Sequence, residues 1–374
     1  MFFYVGVISI ASALGFLATG CRKVELQMRF FYILSGIVMF IPLAMRTVGV
    51  DYVSYVATYE ETEMLGWNMF WKQYTGRPEP LYAVLNFVAC KIFHSFQGVN
   101  FLCALVTIVF TYAGIYRYRE KINLGITIWS VGFLYYILMF GLNRMMIAVA
   151  LYTWAYQYYL TKNLKKYSIW CIIAGMFHYS ALLMIPLYFV LIWLEDGKNK
   201  YTLLKKMFSV IGVVIVFVFV YHAAPILFGG FSWFVRYEGY FNLLFDFRAL
   251  NNNLMVYLLV ILMIIYKKQV SSYLGQFKDL INLFNLGIML ALVSVVLPIH
   301  RLCYFMFPVA ALLYGCMPGA ERCGRNIILK RSDNIFLETY ILLLFLMGCF
   351  SIYKMTVVDS LWAPYITPYA WGLF

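Results

Sequence analysis

Apolar stretches of roughly 15–22 residues recur along almost the whole chain, each about as long as a helix needs to cross a bilayer. Short polar loops separate them, and the pattern predicts an all-α, polytopic integral membrane protein. The composition agrees: 64% of residues are hydrophobic, 12% are charged and the mean hydropathy is +0.81. A soluble globular domain, whose apolar share is nearer half, is excluded. Aromatics make up 20%, many of them near segment ends, where amphipathic rings favour the membrane interface. The first stretch, Met1 to Thr19, has no basic residues before it and no small-residue cleavage pattern, so it reads as a retained helix and not a signal peptide.

The net charge of +13 points first toward nucleic acid, but its distribution points to topology. Of the 29 Lys and Arg, 20 fall in six short loops at 20–29, 117–121, 162–166, 195–206, 267–278 and 317–333. Basic residues in short loops stay in the cytoplasm, so these six loops are expected inside, and no nucleic-acid partner is implied. The eight cysteines form no CxxC pair and have no His at ligand spacing. They read as small buried hydrophobes or reduced thiols, and neither a metal site nor a cofactor is expected.

With those loops inside, the segments alternate: 2–19, 30–45, 122–140, 143–160, the short pair 168–177 and 179–194, then 207–222, 254–266, 279–299, 301–316 and 334–353. Outer loops fall at 46–80 and 223–253 within a single membrane domain, 1–374. Residues 81–97 and 99–116 break the parity, because together they join an outside loop to an inside one. The stretch 81–97 is therefore expected to be a re-entrant or interfacial helix, tolerable where its backbone is buried in protein. About 12 crossings result.

Ionisable residues at membrane depth are costly and generally functional. Five polar residues stand at the expected outer mouths of segments: Arg46, Asp51, Arg144, His178 and Arg301. Arg46-Thr-Val-Gly49-Val-Asp51 leaves the second helix through a glycine turn, with Tyr55 one helical turn later. The plain alternative is an Arg that snorkels and an Asp that caps a surface helix. Asn143-Arg144 opens a helix on the side that the positive-inside tendency disfavours. Unpaired N–H groups and a guanidinium together make an anion seat there; otherwise Arg144 pairs with an acid of the outer loop. His178 divides two short spans and is a candidate base, hydrogen-bond donor or simple turn residue. Arg301 with Tyr304, and Arg236 beside Tyr237, repeat the pattern of a cation near rings.

These residues resemble the EpsG-like, Wzy-type polysaccharide polymerases of bacterial capsule, exopolysaccharide and O-antigen assembly. The resemblance rests on the Arg46–Gly49–Asp51–Tyr55 string, Glu79-Pro80-Leu-Tyr82, Asn143-Arg144 with Ala148, Phe177-His178-Tyr-Ser180-Ala181, Arg301 with Tyr304-Phe305, and the Pro364-Tyr365 tail. Met145 stands where the family commonly has Gln. The resemblance implies a multi-pass protein of the bacterial cytoplasmic membrane, compatible with a GT-C-like glycosyltransferase architecture, with its site facing outward. Its substrate would be an oligosaccharide on undecaprenyl pyrophosphate, in membrane lipid, with a flippase and a chain-length regulator as pathway partners. In that chemistry Arg46, Arg144, Arg301 and Arg236, with Tyr55, Asn143 and Tyr304, would hold pyrophosphate and sugar. Asp51 or His178 would take the acceptor proton, Asp51 being preferred because a carboxylate among arginines stays ionised. A flippase for lipid-linked oligosaccharides and a membrane O-acyltransferase are the competing readings.

Overall fold

The computed structural model describes residues 1–70, 79–195, 300–323, 330–359 and 363–366, with isolated helical positions at 212, 255, 257–259 and 261. Every regular element among them is helical. In chain order they are α1 (Phe2–Gly20), α2 (Glu25–Ala44), α3 (Tyr52–Leu65), α4 (Pro80–Ile92), α5 (Phe96–Tyr116), α6 (Leu124–Val131), α7 (Asn143–Leu160), α8 (Leu164–Gly175), α9 (Met184–Glu195), α10 (Phe307–Cys323), α11 (Lys330–Tyr353) and the short α12 (Ala363–Ile366). The expected segments 207–222, 254–266 and 279–299, and the loop 223–253, lie largely or wholly outside the described residues.

Four described helical stretches are long and apolar enough to cross a membrane: Phe2–Gly20, Glu25–Ala44, Phe96–Tyr116 and Glu338–Val358. The shorter apolar helices are Pro80–Ile92, Leu124–Phe140, Tyr179–Phe189 and Cys303–Pro318. Hydropathy follows what each helix faces. The Glu338–Val358 stretch is the most apolar, and only 22% of its most apolar window is buried. α7 is buried almost all round and carries Thr153, Tyr156, Gln157 and Tyr159 among its apolar residues. A helix surrounded by protein can bury hydroxyls that have partners, so it needs less hydrocarbon than one facing lipid. α7 packs on α5, α8 and α10 and is the hub of the described bundle.

Side-chain bonds between helix ends show which termini share a level. At one end, Thr19 accepts from the N–H of Leu124 (2.9 Å), Arg22 donates to the carbonyl of Ile122, and the N–H of Asn123 donates to Gly315 (2.8 Å). Arg29 reaches the Tyr116 hydroxyl at 3.2 Å. The basic loops 20–29 and 117–121 thus lie together, beside the basic end of α10. At the other end Gln97 donates to Ala44, Asn100 donates to Arg46 (3.2 Å), and Arg46 donates to Asn143.

The same bonds explain α4. Its first residues join the Arg144 side chain through Glu79, and its exit leads into Gln97 and Asn100 at the end of α2. Both ends therefore sit at one level. Thirteen residues span about 20 Å, short of a hydrocarbon core of ~30 Å. The turn into α5 puts His94 at φ 49°, and Ser95 caps the next helix by accepting from the N–H of Gln97.

α6 loses regularity before the site. A π turn over Gly132–Tyr136 and a 3-10 turn over Ile137–Phe140 lead to Gly141 and α7. Ser351 donates to the Phe133 carbonyl (3.0 Å) and Tyr136 to the Met39 carbonyl (2.8 Å), so protein groups rather than lipid surround this stretch.

Candidate active site

Arg46 follows the last turn of α2 and folds back onto it. Its Nη1 donates to the Leu43 carbonyl at 2.6 Å, one of the acceptors that a helix C-terminus leaves without an internal partner. Its Nη2 donates to Asn143 Oδ1, and its guanidinium lies 5.6 Å from the centre of the Phe140 ring. Asn100 then donates to the Arg46 carbonyl. The side chain is 2% exposed, so Arg46 does not snorkel. It caps α2 and pins the first residue of α7, and through Asn100 the start of α5, to that cap.

Arg144, the next residue, faces a different carboxylate from the one emphasised in the sequence. Its Nη1 meets Glu79 Oε2 at 2.7 Å. Its guanidinium lies 5.7 Å from the ring centres of both Tyr55 and Tyr82. This is the pairing with an outer-loop acid set out above as the plain alternative. A cation in the first turn of a helix is opposed by the partial positive charge there, and Glu79 offsets that. Arg144 Nε is buried and has no hydrogen-bond partner among the described residues, leaving one donor of the guanidinium for something else. Glu79 is placed by Pro80, whose fixed φ suits the first helical position of α4.

Asp51 stands at the N-cap position of α3, half-buried, with its backbone carbonyl accepting from the N–H of Tyr55 (3.0 Å). Its side chain makes no cap bond. Burial pushes the Tyr55 phenol up to about 12, with Arg144 opposing and Asp51 adding to the rise. Tyr55 is therefore a neutral hydroxyl near both charges. Gly49 explains the turn that leads there: its φ is +153°, and a Cβ would collide with the carbonyl oxygen of Phe140. Its N–H donates to Tyr365 (2.9 Å), and Tyr4 donates to the Ile366 carbonyl (2.6 Å), so the tail closes over the same end of the bundle.

His178 begins a 3-10 turn over Tyr179–Leu183 between α8 and α9, each of 12 residues. Its Nδ1 lies 2.7 Å from Ser180 Oγ and accepts from the Ser180 N–H at 3.4 Å. Ser180 Oγ in turn touches Met145 Sδ (3.5 Å), and the N–H of Leu81 donates to Met176 (3.0 Å). The His178 turn is thus packed against the starts of α4 and α7.

Arg46, Asp51, Tyr55, Asn143, Arg144 and His178 consequently gather at one end of the bundle, opposite the basic loops. Tyr304 lies farther along. Its ring packs on Phe307 (5.6 Å), and the next residue, Phe305, accepts from Tyr156, about 20 Å along α7 from Asn143. Arg301 is in the 3-10 turn His300–Met306, its side chain outside the described residues, as is all of Arg236.

Glu79, Asn100 and Tyr82 were not singled out as site residues, although Glu79 and Tyr82 belong to one of the quoted strings. The available signal was Glu-Pro opening a helix in an otherwise apolar neighbourhood. Asn100 had none, since one amide in an apolar helix does not declare its partner.

No curated protein and no solved structure matches the chain. A family model does match, and it covers residues 29–367, which include the Arg46–Asp51 turn, Glu79, Asn143-Arg144, His178 and the tail. The chain belongs to the EpsG family.

Proposed function

We propose that this protein is a polysaccharide polymerase, a glycosyltransferase that joins oligosaccharide repeat units carried on undecaprenyl pyrophosphate. Two things support the reading: the family match, and the gathering of Arg144, Asp51, Tyr55 and His178 at the bundle end away from the basic loops. If the basic loops are cytoplasmic, that end faces outward from the cytoplasmic membrane, where flipped units would be met. About 12 crossings go with this topology, as do a flippase and a chain-length regulator in the same pathway.

In the proposed reaction the acceptor sugar hydroxyl attacks the anomeric carbon of the growing chain. The new glycosidic bond forms as the bond to pyrophosphate breaks, inverting that carbon, and the hydroxyl proton passes to a base. Arg144 binds the pyrophosphate and stabilises the charge that develops as it leaves. Glu79 holds the guanidinium in place, and Arg46 acts through Asn143 by fixing the start of α7. Arg301 and Arg236 are further candidates for the anion site, whereas Tyr304, buried and well along α7 from Asn143, is left out of it. Asp51 is the base. With Nδ1 of His178 accepting from the Ser180 N–H, its neutral ring carries the proton on Nε2, which suits a donor to the sugar more than a base.

The test is to delete the gene in its host and size the surface and lipid-linked glycans. A polymerase leaves single repeat units in place of the long ladder, and Arg144→Ala reproduces the defect at normal membrane abundance. Units held on the cytoplasmic face would indicate a flippase instead, and an intact ladder lacking a decoration would indicate an acyltransferase.

A further inference from the structure

A groove of about 930 Å³ runs along the bundle surface between α2 and α5. Its walls are the face of α2 from Arg29 to Phe40 and the face of α5 from Leu105 to Tyr116, with Trp154 of α7 behind. Eleven residues of α2 separate its ends, about 16 Å at 1.5 Å per residue. That is close to half of a ~30 Å hydrocarbon core, the depth of one leaflet. Gly36 lines the groove, and a Cβ there would rest in ordinary contact with the Tyr112 ring at 3.4 Å.

The two ends differ in charge. Phe40 and Leu105 close one end with apolar surface, while Arg29, Arg117 and Arg119 stand at the other. Arg29 bonds the Tyr116 hydroxyl, Arg119 lies 4.4 Å over the Tyr116 ring, and Arg117 lies 5.6 Å over the Trp154 ring. Arg29 also pairs with Glu25, and Arg119 is 3.4 Å from Glu120. Across 20–29 and 117–121 there are six bases against these two acids, so the mouth stays positive. An apolar slot one leaflet deep, with guanidinium groups at the level of its headgroups, fits one kind of molecule.

We propose that this groove binds an anionic glycerophospholipid of the leaflet on the basic-loop side, with an acyl chain along α2 and α5 and the phosphate on Arg29, Arg117 and Arg119. Arginine forks match phosphate oxygens, and each basic residue near a headgroup contributes modestly to the attraction. A polyprenyl carrier of undecaprenyl length would overrun a slot of this depth. The assignment stands independently of the polymerase reading, because the site lies at the opposite end of the bundle from Arg144.

The experiment is native mass spectrometry of the full chain, purified, stripped of lipid and titrated with phosphatidylglycerol or phosphatidylcholine of identical chains. The wild type should retain phosphatidylglycerol on the order of 10-fold better. The triple variant R29Q/R117Q/R119Q should lower that retention to the phosphatidylcholine level, and Gly36→Leu should weaken retention of both by filling the slot. Arg117→Gln, at an exposed position, keeps the test open should the triple variant fail to fold, and it should lose part of the preference. Equal retention of the two lipids by the wild type overturns the proposal. So does a phosphatidylglycerol preference unchanged in the arginine variants, or displacement of phosphatidylglycerol by a polyprenyl diphosphate.

Discussion

The two ends of the bundle carry the same residue type in opposite settings. At one end Arg46 is 2% exposed and bonded to a helix carbonyl and an asparagine, and Arg144 is held between Glu79 and two tyrosine rings. At the other, Arg29 and Arg117 are exposed, with a surface ion pair to Glu25 and rings beneath. A guanidinium taken out of water persists only where hydrogen bonds and opposite charge replace its hydration, so the first end is built around its cations. An exposed cation keeps its water and contributes little to folding, which leaves it available for topology and for headgroups.

The largest effects should come from the charges assigned to chemistry. Asp51→Asn should lower polymer formation by about 100-fold or more, within the usual range for losing a general base. His178→Ala should cost less, and in-membrane assays at saturating lipid-linked substrate would separate the two. Should His178→Ala prove the more damaging while Asp51→Asn keeps activity, the assignment of the base reverses.

Arg144→Lys sharpens the contrast next. A lysine keeps the charge but not the planar fork, and activity should fall roughly 100-fold at the buried end. Normal chain length in this variant would show that Arg144 serves Glu79 and not a leaving group.

Stability effects come third. Arg46→Ala leaves the side-chain oxygen of Asn143 and the last turn of α2 without their partner and should cost about 2–3 kcal/mol in thermal unfolding. Asn143→Ala should couple to it in a double-mutant cycle, and additive losses would break the proposed link between α2 and α7. Gly49→Ala should cost about 1–3 kcal/mol, since it adds a strained φ and a clash with the Phe140 carbonyl. The smallest effect is Arg29→Gln, which should leave the unfolding temperature unchanged; a clear drop would erase the distinction between the ends.

Much of this was readable from the chain. The apolar stretches marked α1, α2, α5 and α11, and the basic loops 20–29 and 117–121 fall at one end as their charge implied. The parity break flagged α4, and the break at His178 is present as a 3-10 turn. Arg46, Asp51, Tyr55, Asn143, Arg144 and His178 do converge. Partners were less readable. Arg144 had five acids of the 46–80 loop to choose from, and only packing selects Glu79.

Sequence by itself determined the membrane character, the helical class, the candidate sidedness and the cast of polar residues, because these depend on local composition and on solvent cost. Tertiary structure alone decided that Arg46 caps α2 and grips Asn143, that Gly49 must clear Phe140, and that Gln97 and Asn100 bring the exit of α4 back to the level of its start. It alone opened the groove beside Gly36. Each of those depends on groups tens of residues apart meeting within a few ångströms. Helical periodicity tells which face a residue occupies but carries no term for what stands opposite it.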